Sequence, residues 1–135
     1  MEKYYTPEIE EFHVGFEYQN RQPNNHNKGL DWYKQVYKSD SIRFVKLACE
    51  IYEGSIRVKH LDKEDIESLG FKLDSVHNDV RFNYLMFPYR IDHIPHQNRI
   101  DIYKWGDECD MIGYITIKNK SELRKLLKQL EIIKE

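Results

Sequence analysis

The sequence predicts an α+β fold, in which a mostly antiparallel sheet of five to seven strands carries a short internal helix and a C-terminal amphipathic helix packed on it. Several segments alternate apolar and polar residues with the two-residue period of a strand. Near the C-terminal end, leucines recur instead at the spacing of a helix. A length of 135 residues suits one hydrophobic core, so residues 1–135 are expected to form a single α+β domain.

The first half of the chain contains the clearest alternating pattern. Strands are predicted there at residues 11–19, 31–38 and 56–60. The polar residues 20–29 indicate a loop after the first of them. Residues 41–52 fit either a helix or a strand, and the helix is the preferred interpretation.

The internal helix is predicted from the signals at its two ends. Asp62 can cap the helix, and Asp65 occupies its third position. Leu61 can pack against Ile66 across this cap. Gly70 ends the helix where a left-handed backbone is needed. These four features together predict a helix of about two turns.

The second half of the chain predicts a strand, a hairpin and the last helix. Residues 80–87 alternate as a strand that Pro88 ends. Residues 99–105 and 111–118 flank a short polar loop, which indicates an antiparallel hairpin. Asn119 and Glu122 form a capping pair at the start of the helix. Its apolar face is built from Leu123, Leu126, Leu127 and Leu130.

Charge and cysteine content limit the classes of function. The chain has 21 basic and 23 acidic side chains, a formal charge of −2 and a pI near 6.3, so its overall field does not attract nucleic acid or anionic lipid. Cys49 and Cys109 are expected to be reduced thiols. No signal peptide and no membrane span are predicted. The expected location is the cytoplasm, which is that of the bacterial host if a phage encodes the protein.

One group of residues could hold a divalent metal ion. Imidazole and carboxylate side chains, both common metal ligands, occur close together at Asp92, His93, His96 and Asp101. Their spacing is not helical, and Pro95 separates the two histidines. A solvated, histidine-rich loop is therefore the preferred interpretation, and no cofactor is expected.

A second group mixes cations with aromatic rings, as a stacking surface for bases would. It consists of Tyr89, Arg90, Arg99, Tyr103, Lys104 and Trp105. Acidic residues interrupt it at Asp92, Asp101, Asp107 and Glu108. The preferred interpretation is a surface hairpin whose aromatic side chains fold inward.

Three segments resemble a group of small uncharacterised proteins encoded by bacteriophages and by phage-like bacterial genes. They are EEFHVGFEY at residues 10–18, IRVKHLDKEDIESLGF at residues 56–71 and IKNKSELRKLLKQL at residues 117–130. The resemblance covers about 40 residues from the first predicted strand to the last helix. It implies a shared fold and a phage or mobile-element setting, and it assigns no catalytic residue.

The sequence contains no nucleophile elbow, glycine-rich phosphate loop or helical histidine pair, which disfavours an enzyme of a familiar class. The first hypothesis is a non-enzymatic phage-type accessory protein that binds another macromolecule, preferably a protein, through an exposed sheet face or edge. Three alternatives stay open: a virion or assembly component, a nucleotide or single-stranded nucleic-acid binding module, and a metal-dependent hydrolase. The oligomeric state is left open.

Overall fold

The structure, a computed structural model, describes residues 3–23, 29–38, 41–106 and 108–134, with backbone only for residues 41–44. Within this part of the chain, nine strands form two antiparallel sheets, accompanied by three α-helices. The predicted α+β fold class is therefore confirmed. The strands are divided between a four-stranded and a five-stranded sheet, where one sheet was expected. The chain contacts separate two compact units, Glu2–His60 and Leu61–Glu135.

The first unit contains the four-stranded sheet and one helix. Its elements are β1 (Tyr4–Tyr5), β2 (Glu17–Pro23), β3 (Leu30–Val36), α1 (Ser41–Tyr52) and β4 (Ile56–Lys59). The strand order is β1-β4-β2-β3, and every pairing is antiparallel. Phe16, Leu47, Ile56 and Val58 are its buried apolar residues. The helical interpretation of residues 41–52 and the strands predicted at 31–38 and 56–60 are thus confirmed.

The strand predicted at residues 11–19 is wrong over most of its length. A 3-10 turn occupies Ile9–Glu11, and the backbone reverses at Gly15, where φ is +91°. Beyond the turn, the Phe12 ring lies 4.6 Å from Phe16 and 5.2 Å from Tyr18. The alternating aromatic residues therefore build a compact cluster, and the strand β2 begins only at Glu17.

The second unit contains two helices and a five-stranded meander in which each strand pairs with the next one in sequence. Its elements are α2 (Lys63–Ser68), β5 (Lys72–His77), β6 (Arg81–Met86), β7 (Tyr89–Ile94), β8 (Arg99–Trp105), β9 (Cys109–Thr116) and α3 (Lys120–Gln129). The predicted hairpin is formed by β8 and β9. The strands β5 and β7 were not predicted as strands.

The core of the second unit lies between one face of this sheet and the helices. Its buried residues are Leu61, Ile66, Phe71, Tyr84, Ile91, Ile100, Ile102, Ile117, Leu123 and Leu127. Burying side chains of this size contributes about 1.5–3 kcal/mol each, relative to leaving them exposed. The helices are therefore held on this face mainly by apolar contact.

The predicted two ends of α2 and the predicted start of α3 are confirmed. At α2, the backbone N–H of Asp65 donates to Asp62 Oδ1 over 3.0 Å, and the N–H of Asp62 donates to Asp65 Oδ2 over 3.3 Å. Gly70, which follows this helix, has φ +106°. At α3, the N–H of Glu122 donates to Asn119 Oδ1 over 2.9 Å. No helix in the described ranges is both long and apolar enough to cross a membrane.

Candidate binding surface on the five-stranded sheet

The central strands of the second unit present two chemically different faces. Side chains of a strand alternate between faces, so Ile91 and His93 of β7 point to the helix side while Arg90 and Asp92 point to the other. Asp92 lies directly opposite Asp101 of β8. The face that α2 and α3 do not cover is therefore built around two adjacent carboxylates.

Three arginines bind these two buried carboxylates. Arg81 donates from Nη1 to Asp92 Oδ2 over 2.9 Å and from Nη2 to Asp101 Oδ2 over 3.1 Å. Arg90 donates two hydrogen bonds to Asp92, from Nε to Oδ1 over 2.8 Å and from Nη2 to Oδ2 over 2.9 Å. Arg99 donates from Nε to Asp101 Oδ1 over 2.6 Å. We call these five residues the arginine–aspartate layer.

The layer carries a net positive charge. Three guanidinium groups face two carboxylates, which leaves one positive charge in excess. The hydrogen bond to Asp92 raises the pKa of Arg90, and the hydrogen bond to Asp101 raises that of Arg99. Both carboxylates are buried, whereas the side chains of Arg81, Arg90 and Arg99 are 35%, 27% and 35% exposed. The layer therefore presents guanidinium groups to its surroundings and hides the carboxylates beneath them.

Aromatic rings hold two of these arginines in place. The Cζ atom of Arg90 lies 4.7 Å from the centre of the Tyr103 ring, and that of Arg99 lies 4.3 Å from the Tyr114 ring. Both distances are typical of cation–π contacts. Trp105 follows Tyr103 by two residues on β8 and so shares its face. We call the surface formed by Arg81, Arg90, Arg99, Tyr103, Trp105 and Tyr114 the arginine–tyrosine face.

The arginine–tyrosine face borders an apolar sheet edge. Strand β9 pairs with β8 alone among the strands that the structure describes. Its large side chains are unusually accessible: Met111, Ile112, Tyr114 and Ile115 are 44%, 48%, 67% and 42% exposed. Exposed apolar groups on consecutive positions mark a site of association more often than isolated ones do.

The structure brings four of the six predicted binding residues onto one face. These are Arg90, Arg99, Tyr103 and Trp105. Tyr89 and Lys104 form a pair on the other face, with the Lys104 Nζ atom 5.8 Å from the Tyr89 ring centre. The sequence did not predict the other two members of this face, Arg81 from β6 and Tyr114 from β9.

The expectation that the hairpin aromatics fold inward holds only in part. Tyr103 is half-buried beside Arg90, whereas Trp105 and Tyr114 are exposed. Tyr114 stacks on Arg99 with its other surface accessible. The hairpin therefore displays aromatic surface instead of burying it.

The four predicted metal ligands are not brought together. Asp92 and Asp101 are engaged by arginines, and His93 lies on the opposite face of β7. His96 is exposed in a 3-10 turn, Pro95–Gln97. In residues 3–23, 29–38, 41–106 and 108–134, no group of three or more His, Cys, Asp or Glu side chains is arranged to hold a metal ion.

The histidine-rich loop proposed around His93 is wrong for that residue. His93 belongs to strand β7 and is only 3% exposed. Burial lowers its pKa to about 4, an effect that the Asp62 carboxylate partly opposes. A neutral imidazole therefore occupies this position at pH 7.

Comparison with known proteins identifies no relative of this chain. No protein-family model, no curated protein and no solved structure matches it.

Proposed function

We propose that the protein is a non-enzymatic binding module that recognises another protein through the arginine–tyrosine face. One observation carries this proposal: guanidinium groups fixed by buried carboxylates stack on tyrosine rings beside an exposed apolar strand. The setting that we propose for this activity is a phage or mobile element, which is what the resemblance of the three sequence segments implies. The location that we propose for the protein is the cytoplasm of a bacterium.

The residue types on this face are those that dominate protein interfaces. Trp, Tyr and Arg are enriched among the residues whose truncation costs most binding energy. Here, Arg90 and Arg99 are already held by ion pairs and by ring stacking. Less side-chain entropy is lost on binding when side chains are held in advance, and each immobilised long side chain otherwise costs about 0.5–1.5 kcal/mol.

The charge balance favours a protein over a nucleic acid as the partner. Nucleic-acid affinity depends on many cations that replace the counterions of the phosphates. The arginine–aspartate layer offers a single excess positive charge, and the whole chain has a net charge of −2. The apolar side chains of β9 next to this face suit a protein surface better than a phosphate backbone.

Site-specific photo-crosslinking tests the proposal. A photoreactive phenylalanine analogue replaces Tyr114, which is 67% exposed, and a matched control carries it at Val80, an exposed turn position of the same unit. In bacterial cells that produce the protein, we expect a discrete adduct from position 114 that mass spectrometry identifies as a protein.

Two controls make this experiment decisive. Nuclease treatment should leave the adduct unchanged, and the control at Val80 should not form it. An adduct that disappears on nuclease treatment, or one that forms equally from both positions, would contradict the proposal.

A second candidate, binding of single-stranded nucleic acid, is favoured by one specific observation. Tyr103, Trp105 and Tyr114 place three rings on the face that carries the arginines, and bases stack on such rings at about 1–3 kcal/mol each. In a Trp32→Phe variant, Trp105 is the remaining tryptophan. A saturable quench of its fluorescence by an oligonucleotide at low salt would support this candidate over protein binding, and unchanged fluorescence would remove it.

A further inference from the structure

We infer that an extended, acidic segment of the partner protein adds to the outer edge of β9 as a sixth strand, with one of its carboxylates bound by Arg99. This inference rests on the proposed protein-binding function and specifies how the partner is held. Strand addition is a common mode of peptide recognition, in which backbone hydrogen bonds provide affinity and side-chain contacts provide specificity.

The two edges of the five-stranded sheet differ in a way that favours β9. An edge strand presents unpaired N–H and C=O groups, and proteins commonly protect such edges with charged side chains. The β5 edge carries the exposed charged residues Lys72 and Asp74. Residues 111–116 of β9 contain no charged side chain and expose Met111, Ile112, Tyr114 and Ile115, whereas Val76 is the one large apolar residue exposed on β5. The apolar, accessible β9 edge is therefore the edge with which an added strand can pair.

The regular part of β9 defines where the added strand would pair. A β-bulge at Ile112 interrupts the register between β8 and β9. Beyond it, residues 113–116 pair regularly with residues 99–102 of β8. An added segment of about four to six residues therefore has a straight template at this end of the strand.

Arg99 determines the charge of the segment that fits. Its Nε atom donates to Asp101, and its Nη atoms make no hydrogen bond with any residue that the structure describes. Its guanidinium group lies 4.3 Å from the Tyr114 ring and so reaches the edge strand. Side chains directly opposite each other on paired strands have Cβ atoms about 5 Å apart. A carboxylate facing Tyr114 or Thr116 from the added strand can therefore bind the free Nη atoms.

The same arginine disfavours a second copy of this chain as the occupant. A two-fold antiparallel pairing of two β9 strands that is centred on Tyr114 would bring two Tyr114 rings to the symmetry axis. Each ring carries a stacked Arg99, so the two guanidinium groups would meet across the interface. Like charges opposite each other on paired strands are destabilising. An acidic segment from a different protein can pair with the backbone groups of the β9 edge and also bind the positive charge of Arg99.

Selection from a random peptide library tests the inference on the full chain. Displayed peptides of twelve residues are selected on the wild-type protein and on the Arg99→Glu variant. We expect the wild type to enrich peptides with alternating apolar residues and one Asp or Glu at a constant position. The amide NMR signals that respond to a selected peptide should be those of β9.

Variants on the two edges separate the inference from its rivals. Arg99→Glu should weaken a selected acidic peptide at least tenfold, and Arg99→Gln, which retains a hydrogen-bonding side chain without the charge, should weaken it less. Lys72→Glu on the β5 edge is the matched control and should leave the affinity unchanged. Amide spectra of each variant verify that the fold is intact.

Several outcomes would overturn the inference. These are a library that enriches no peptide, peptides without a constant acidic position, and responses outside β9. A wild-type dimer that Ile115→Lys converts to a monomer would assign the edge to a second copy instead. The crosslink from position 114 reports on partner binding independently, so a protein adduct without strand addition would leave the proposed function standing.

Discussion

Asp92 and Asp101 lie directly opposite each other on β7 and β8, and the single guanidinium group of Arg81 hydrogen bonds to both. Two negative charges at such a position repel each other, and burial increases the cost because each charge loses its hydration. Arg90 forms an ion pair with Asp92, and Arg99 forms an ion pair with Asp101. Arg81 is the group that joins the two halves of the arginine–aspartate layer.

Replacing Arg81 with Met is therefore expected to destabilise the protein. The two carboxylates would keep one arginine each and lose the shared partner, and we expect the free energy of unfolding to fall by about 2–4 kcal/mol. Urea unfolding followed by circular dichroism measures this change. Lys63→Met is the matched control, because Lys63 forms an exposed ion pair with Glu67 at 3.6 Å that should contribute less than about 1 kcal/mol. Equal losses in the two variants would contradict this prediction.

The buried imidazole of His93 predicts a specific dependence of stability on pH. Burial lowers the pKa of His93 to about 4, whereas an unfolded chain holds histidine near 6.5. Between these values the unfolded state binds a proton that the folded state does not, so acidification stabilises the unfolded state. His93 should therefore remove about 3 kcal/mol of stability as the pH falls from 7 to 4, and none of this loss occurs above pH 7.

The variant His93→Gln tests this dependence. Glutamine is similar in size and does not titrate, so the difference in unfolding free energy between pH 7 and pH 4.5 should be about 2–3 kcal/mol smaller in the variant than in the wild type. Urea titrations of both proteins at the two pH values measure it, and the other titrating groups contribute alike to both. The same pH dependence in wild type and variant would show that the imidazole is not shielded as the structure indicates.

The capping box of α2 predicts a difference between two substitutions at one position. Asp62→Ala removes the oxygen that accepts from the N–H of Asp65, and we expect a loss of about 1 kcal/mol. Asp62→Asn keeps an oxygen at the same place, and asparagine is as good an N-cap as aspartate. In thermal unfolding, wild type and Asp62→Asn should therefore have similar melting temperatures, and that of Asp62→Ala should be lower. Equal melting temperatures for the two variants would mean that the cap oxygen contributes nothing.

The capping and hairpin signals were reliable because they depend on neighbouring residues. The Asp62–Asp65 box, the Asn119 cap and the hairpin of β8 and β9 were predicted because each is encoded within a few positions of the sequence. The alternation at residues 11–19 misled because Gly15 turns the backbone at φ +91°, and aromatic residues pack in a cluster as readily as on a strand. A two-residue period alone does not distinguish these two arrangements.

The candidate surface was predicted only for residues that lie close together in the sequence, between positions 89 and 105. Strand β7 was not predicted, because charged and polar residues, among them Arg90, Asp92 and His93, interrupt the alternation of apolar and polar residues that marks a strand. Arg81 and Tyr114 are separated in sequence from the residues they contact, so no local pattern joins them to Asp92 or Arg99. The neighbours of a side chain across a sheet depend on strand order and register, which are non-local.

The sequence by itself determined the α+β class, both ends of α2, the start of α3 and the position of the β8–β9 hairpin, because capping, helical periodicity and turn residues act over a few positions. Only the tertiary structure decided that the strands form two sheets and that Asp92 faces Asp101. It also decided that His93 is buried while its neighbour Asp92 binds arginines on the opposite face. The physical reason is that adjacent residues of a strand point to opposite sides, so pairing between distant strands assigns each side chain its environment.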